Sequence, residues 1–134
     1  MYNSTCSEDQ FTVKELLFAI FNDIIKERKE FSFTSDLKRI NGIFYELKDA
    51  VKILKHLNFR TTGIYPYSDE LEQAISELHI HRWLGCPNPL YDRYTIKSDD
   101  AASQFEELVP PYLKKEKSIE VKKISDSFKQ NLAV

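Results

Sequence analysis

Two histidines and a cysteine are the residues of this 134-residue sequence whose types and spacing could bind a metal. His79 and His81 alternate by two, so they would point the same way from a β-strand, and Cys86 follows them. Nitrogen and sulfur ligands suit zinc, but no CxxC or HExxH spacing accompanies them. We therefore expect ordinary polar strand residues here, with no metal and no other cofactor.

Nucleophilic and acid–base chemistry find little support. Cys86 lies between Gly85 and Pro87, where no helix N-terminus follows to lower the pKa of its thiol. The pair Asp99–Asp100 is better explained as acids in the first turn of a helix. GxGxxG, Walker A and GxSxG motifs are absent from the sequence, which has three glycines. The sequence thus predicts a protein that is not an enzyme and has no catalytic residues.

A short predicted helix carries the clearest electrostatic signal. Pro66 and Ser68 mark its start, and Ser68 is placed to cap it. Its apolar stripe consists of Leu71, Ala74, Ile75 and Leu78. Its other face has the acids Asp69, Glu70, Glu72 and Glu77, without lysine or arginine. Such a face repels DNA phosphates and suits a basic protein surface.

DNA binding remains the alternative, through a transcriptional regulator or an antitoxin. The candidate nucleic-acid contacts are Arg60, Arg82 and Arg93, which are scattered. Further basic residues cluster at 26–29, 52–55 and 114–123, but the sequence does not place them on one face. The formal net charge is −2, whereas a domain that binds nucleic acid is typically strongly basic.

Composition predicts one folded domain. Hydrophobic residues make up 42% of the chain and charged residues 30%, enough for a core and too apolar for wholesale disorder. Apolar runs long enough to span a bilayer are lacking, and the first ten residues do not resemble a signal peptide. We expect a cytoplasmic protein without a membrane partner, with Cys6 and Cys86 both reduced.

Helical periodicity organises the first half of the chain. A capping box, Thr12 with Glu15, starts a helix that ends near Arg28 or Lys29. Residues 31–35 are β-prone. A heptad-like seam follows, with apolar residues at spacings of three and four: Leu37, Ile40, Phe44, Leu47, Val51 and Leu54. It predicts one long helix over 36–57, capped by Thr34 or Ser35. The seam either packs on the first helix or, with Ile43 and Tyr45 beside it, partly meets a partner chain.

The second half predicts a β-hairpin and further helices. Strands over 80–84 and 90–96 flank a proline-containing loop at 85–89, and 59–62 could add a third strand. A helix follows from Ser98 until Pro110–Pro111 ends it. The tail 112–134 has a stripe that includes Val121, Ile124 and Phe128. This stripe either folds back on the domain or docks elsewhere.

These elements together predict an α+β fold. It is a mostly helical, winged helix-turn-helix-like domain with a β-hairpin wing and C-terminal helices. We expect a flexible N-terminus at 1–10, the winged-helix-like domain at 11–109 and a helical tail at 110–134.

A residue pattern extends through the predicted helix and hairpin. It comprises Gly63, Tyr65-Pro-Tyr-Ser68, Glu70-Leu71, Ala74-Ile75, Leu78, Trp83-Leu84, Asn88-Pro89, Tyr91, Arg93-Tyr94 and Ile96. This pattern resembles small winged-helix proteins of bacterial defence loci. One similar group is the middle components of ABC-ATPase three-component antiphage systems, including Lamassu-type small subunits. The other is the Panacea-type antitoxins. Both resemblances imply a non-catalytic protein that binds another protein.

We therefore expect a non-catalytic interaction subunit of a larger complex, and the resemblance implies that this complex is a bacterial antiphage ABC-ATPase assembly. A homodimer is left open. The expected partner-binding residues are Asp69, Glu70, Glu72 and Glu77 on the helix, Pro87, Asn88 and Tyr91 at the hairpin tip, and Val121, Ile124 and Phe128 in the tail.

Overall fold

The computed structural model describes residues 11–27, 29–80, 93–97 and 107–133. Its helices are α1 (Val13–Glu27), α2 (Leu37–Leu47), a 3₁₀ helix (Lys52–His56), α3 (Asp69–Ile80), a π-helical turn (Tyr112–Glu116) and α4 (Ser118–Asn131). Its strands are β1 (Glu30–Thr34) and β2 (Arg93–Lys97). The described chain is mostly helical with a two-stranded antiparallel sheet, so the predicted α+β class is confirmed.

Helix α1 begins as its sequence predicts. The Thr12 backbone N–H donates to the Glu15 carboxylate at 2.9 Å, and the Glu15 N–H donates to the Thr12 hydroxyl at 3.0 Å. This reciprocal pair satisfies two of the N–H groups that a helix start leaves open. The helix ends at Glu27, close to the expected end.

The sheet joins segments that are distant in sequence. β1 pairs with β2 so that Phe31 lies opposite Ile96 and Phe33 opposite Tyr94. The β-prone segment 31–35 is thus confirmed as a strand up to Thr34, and the strand expected at 90–96 is confirmed over its described residues. The expected strand over 80–84 is wrong at Ile80, the last residue of α3. Residues 81–92, with the rest of the hairpin, lie outside the described residues.

The other edge of β1 is covered by the end of α4. The Thr34 N–H donates to the Leu132 carbonyl at 2.9 Å, and Phe33 forms an isolated bridge with Ala133. At the same end of α4, the Arg39 guanidinium donates to the Asn131 carbonyl at 2.7 Å. A cation suits the negative end of a helix, so α2 also helps to fix α4.

The long helix expected over 36–57 is wrong in its second half. α2 ends at Leu47, Val51 is extended, and the 3₁₀ helix follows. A carboxylate of α4 explains part of this change, because Glu120 accepts from the Ile53 N–H at 3.1 Å. The cap is also different from the expected Thr34 or Ser35, since Asp36 accepts from the Lys38 N–H at 3.0 Å.

The third strand expected at 59–62 does not join the sheet among the described residues. Arg60 instead makes an isolated bridge with Tyr67, through N–O distances of 2.8 and 3.1 Å. This bridge closes a loop that leads directly into α3. Ile64 lies in that loop and is 96% exposed.

The tail folds back on the domain, which answers the question that its stripe left open. α4 packs on α1, and Phe128 makes edge contacts with Phe21, Phe33 and Phe44 at ring-centroid distances of 5.3 to 5.8 Å. Val121, Ile124 and Phe128 are all buried in one core with α1. Among the described residues, none of the helices combines the length and apolarity needed to cross a membrane.

Candidate functional site: the exposed face of α3

A buried hydrogen-bond network fixes the start of α3. The Ser68 hydroxyl accepts from the Leu71 N–H at 3.3 Å, which confirms the predicted cap. The Ser68 N–H in turn donates to the side chain of Asn41, on α2, at 2.9 Å. The Asn41 amide donates to the Leu37 carbonyl and to the Glu72 carboxylate, both at 2.8 Å. α2 therefore sets the position of α3.

The acids predicted on α3 have different surroundings. Glu70 is exposed. Asp69 lies 3.3 Å from the Arg60 guanidinium, and Glu77 lies 3.3 Å from the Lys14 ammonium. Glu72 is half-buried and accepts from Asn41. Only part of the acidic face thus points away from the domain, and Glu72 also has a structural role.

Glu72 also affects Tyr65, in the loop before α3. Burial is the main cause that raises the pKa of the Tyr65 phenol, and the nearby Glu72 carboxylate raises it further. Both causes favour the neutral phenol. The Tyr65 ring also meets the Tyr67 ring edge-on, at a centroid distance of 6.2 Å. Tyr65 and Tyr67 therefore contact each other just before α3, and Tyr65 also lies near Glu72 in its first turn.

The exposed face of α3 ends in an apolar residue, Ile80. Gln73, Glu77 and Ile80 are spaced by four and three residues, so they line one side of the helix. Ile80 is 70% exposed. The exposed face therefore combines carboxylates with one large apolar side chain.

A groove runs beside this face, between the start of α1, the 3₁₀ helix and α3. We call it the α1–α3 groove, and its volume is about 520 Å³. Its lining residues are Phe11, Thr12, Val13, Lys14, Leu16, Ile53, Leu57, Glu70, Gln73, Ala74 and Glu77. The sequence did not predict the groove, because one of its walls contains Ile53 and Leu57, and these belong to the 3₁₀ helix and its end, where the sequence predicted a continuous long helix.

Several predicted partner-binding residues do not lie on a free surface. Val121 is 4% exposed, and Ile124 and Phe128 are fully buried, so the expectation that they bind a partner is wrong for this fold. Their spacing reflects packing against α1 within the same chain. Pro87, Asn88 and Tyr91 lie outside the described residues.

The structure describes two of the three candidate nucleic-acid contacts, Arg60 and Arg93. Arg60 pairs with Asp69, and Arg93 opens β2 opposite Thr34. Arg82 lies outside the described residues. A second groove of about 300 Å³ does bring together Lys26, Lys114 and Lys115, from two of the basic clusters. The neighbouring Asp23 lines the same groove, so its charge is mixed.

Of the three residues considered for a metal site, the structure describes only His79. His79 belongs to α3, not to a strand, because the helical period continues through Ile80. Its ring lies 5.4 Å from the Tyr94 ring, between centroids. His81, Cys86 and the acids 99 and 100 lie outside the described residues. In the part of the chain that the structure describes, no group of three or more potential ligand side chains could hold a metal ion.

Comparison with known proteins does not assign this chain to a family. No protein-family model, no curated protein and no solved structure matches it.

Proposed function

We propose that this chain is a non-catalytic interaction subunit of a multi-protein complex, and that its partner binds the exposed face of α3. The observation that supports this proposal is the composition of that face. α3 contains four acids and neither lysine nor arginine, and it presents Ile80 at 70% exposure. Complementary charge speeds and orients association, while an exposed apolar residue offers area to bury.

We also propose a winged-helix arrangement for α1, β1, α2, α3 and β2. The support is the order of these elements and the antiparallel pairing of β1 with β2 across the α2–α3 pair. In a DNA-binding winged helix, the second helix of the helix-turn-helix enters the major groove. The acids of α3 would meet phosphates there, so the arrangement favours a protein partner.

The proposed complex is a bacterial antiphage ATPase assembly. Its support is the resemblance of the residues around α3 to the small winged-helix subunits of defence loci. Fold-level likeness does not carry an active site, and the proposal accordingly gives this chain no catalytic role.

Co-purification tests the proposal. The tagged chain is expressed with the proteins encoded by its neighbouring genes, and a stoichiometric neighbour should co-purify with it. Glu70→Lys, which reverses a charge on the exposed face, should remove that neighbour. Glu46→Lys is the matched control, because Glu46 is exposed on α2 and the charge change is the same.

Binding to duplex DNA tests the alternative function, a DNA-binding regulator. A fluorescently labelled duplex is titrated with the chain at increasing salt, since phosphate contacts give a steep loss of affinity. Tight, salt-sensitive binding that is lost on Arg82→Ala and Arg93→Ala, with no co-purifying neighbour, would refute the proposed function in favour of a DNA-binding regulator.

A further inference from the structure

The α1–α3 groove has an apolar floor. Leu16, Ile53 and Leu57 are at most 6% exposed, and Ala74 is 5% exposed. Phe11 and Val13 are partly buried against the same core. The groove volume of about 520 Å³ lies within the range of pockets that bind small molecules.

The rim of the groove is negative on its α3 side. Glu70 and Glu77 stand two helical turns apart, a rise of about 10 Å along the axis. Gln73 lies between them and also lines the groove. The α1 side contributes Lys14, whose ammonium lies 3.3 Å from the Glu77 carboxylate.

The Lys14–Glu77 pair shows what kind of group fits this rim. The two side chains are 40% and 39% exposed, so the pair adds little stability and a partner's cation can share or replace it. Glu70 offers an exposed carboxylate at the other end of the same rim. The chain thus already holds one ammonium group at the edge of an apolar groove.

We infer that the α1–α3 groove binds an amphipathic helix of a partner protein, with apolar side chains on the groove floor and lysine or arginine against Glu70 and Glu77. Helices commonly bind in this way, with one apolar face laid into a groove. Cations seven residues apart on the incoming helix would match the spacing of the two glutamates. This inference rests on the proposed function and specifies the partner's chemistry.

The groove is also formed before any partner arrives. The capping box of Thr12 and Glu15 fixes the start of α1, and the buried network around Asn41 fixes the start of α3. A site that is already ordered loses less entropy on binding. A partner helix therefore meets walls that need little reordering, which lowers the entropic cost of binding.

A random library of 16-residue peptides displayed on phage tests the inference with the full chain as the target. The expected consensus has two basic residues about seven positions apart, with apolar residues between them on the same helical face. The best selected peptide is then synthesised, and its dissociation constant is measured by fluorescence anisotropy.

Two tryptophan substitutions at exposed positions of α3 separate the groove from the rest of the helix. Gln73→Trp places an indole in the groove, where it excludes a central anchor side chain of the peptide. It should therefore weaken peptide binding by about tenfold or more. Ser76→Trp is the matched control, because Ser76 is exposed but does not line the groove. It should change the dissociation constant by less than about twofold.

Three results would overturn the inference: no enriched peptide, an enriched consensus that is acidic, or equal binding to the wild type and to Gln73→Trp. Glu70→Lys gives a second readout at an exposed position if Gln73→Trp fails to fold, and it should also abolish peptide binding. The co-purification experiment distinguishes a failure of this inference from a failure of the proposed function. Loss of the neighbour-encoded protein on Glu70→Lys, with full retention on Gln73→Trp, would uphold that function and refute the groove.

Discussion

Asn41 is a buried amide whose three hydrogen bonds join two helices. It accepts from the Ser68 N–H and donates to the Leu37 carbonyl and the Glu72 carboxylate. Buried polar groups cost little when every bond is made and much when one is lost. A sequence pattern records Asn41 only as a polar residue in a helix, so its role as the anchor of α3 was not predictable.

Asn41→Ala should lower the free energy of unfolding by about 2–3 kcal/mol, because it leaves the buried Ser68 N–H without its acceptor. Urea unfolding followed by far-UV circular dichroism measures the change. Asn131→Ala is the control, since the Asn131 amide bonds to Ser127 at the exposed end of α4. It should cost less than about 1 kcal/mol. Equal losses in the two variants would contradict the anchoring role.

At the scale of elements, apolar periodicity predicted which residues are buried better than it predicted the backbone that carries them. Val51 and Leu54 are buried as the heptad-like seam requires, yet they lie beyond the end of α2. The seam spacing fits either backbone, and the Glu120 contact that favours the 3₁₀ helix comes from the far end of the chain. A tertiary contact of this kind has no local signal.

An ion-pair network connects the end of α1 to α4. Glu27 contacts the ammonium groups of Lys122 and Lys129, and Lys129 also lies 3.4 Å from Asp126. Hydrogen bonds from Lys129 and then Lys122 lower the pKa of the Glu27 carboxyl below its ordinary value of 4.5. The same contacts raise the pKa of both lysines.

The stabilisation from Glu27 should depend on pH in one direction. Its carboxyl is harder to protonate when folded, so its contribution is complete above the unfolded pKa and is lost as the pH falls through the folded pKa. Glu27→Gln should therefore lower the melting temperature near neutral pH, and the difference from wild type should vanish at pH values well below 4.5. Thermal melts over this range measure it.

Glu46→Gln provides the comparison for that series. Glu46 is exposed on α2 and the same charge is removed, but the α1–α4 contact remains intact. Its melting temperature should follow that of the wild type at each pH. A Glu27→Gln deficit that persists unchanged in acid would show that packing, and not the charge, is responsible.

At the scale of the whole molecule, α4 is part of the core and not an appended tail. The tail was predictable as an amphipathic helix from its stripe, but a stripe does not say which surface covers it. Three aromatic rings, from α1, β1 and α2, meet Phe128 and supply that surface. The exposed acids of α3 were readable from sequence because α3 is a short, capped and strongly periodic helix.

Phe128→Ala should destabilise the entire fold by about 3–5 kcal/mol, a large share of the stability of a domain of this size. Ile119→Ala in the same helix should cost less than about 0.5 kcal/mol, since Ile119 is 73% exposed. Denaturant unfolding compares the two variants. A Phe128→Ala protein that unfolds at the wild-type midpoint would mean that α4 is not integral to the core.

The two hydrogen-bonded neighbours of β1 have a consequence for how the protein is made. β2 and the Leu132–Ala133 segment are both translated long after β1 has left the ribosome. Until they emerge, the nascent chain carries Phe31 and Phe33 on a strand with two open edges, which is a template for aggregation. Both edges of β1 are therefore paired only after residue 133 has been translated, and a holding chaperone would be most useful to this protein before that point.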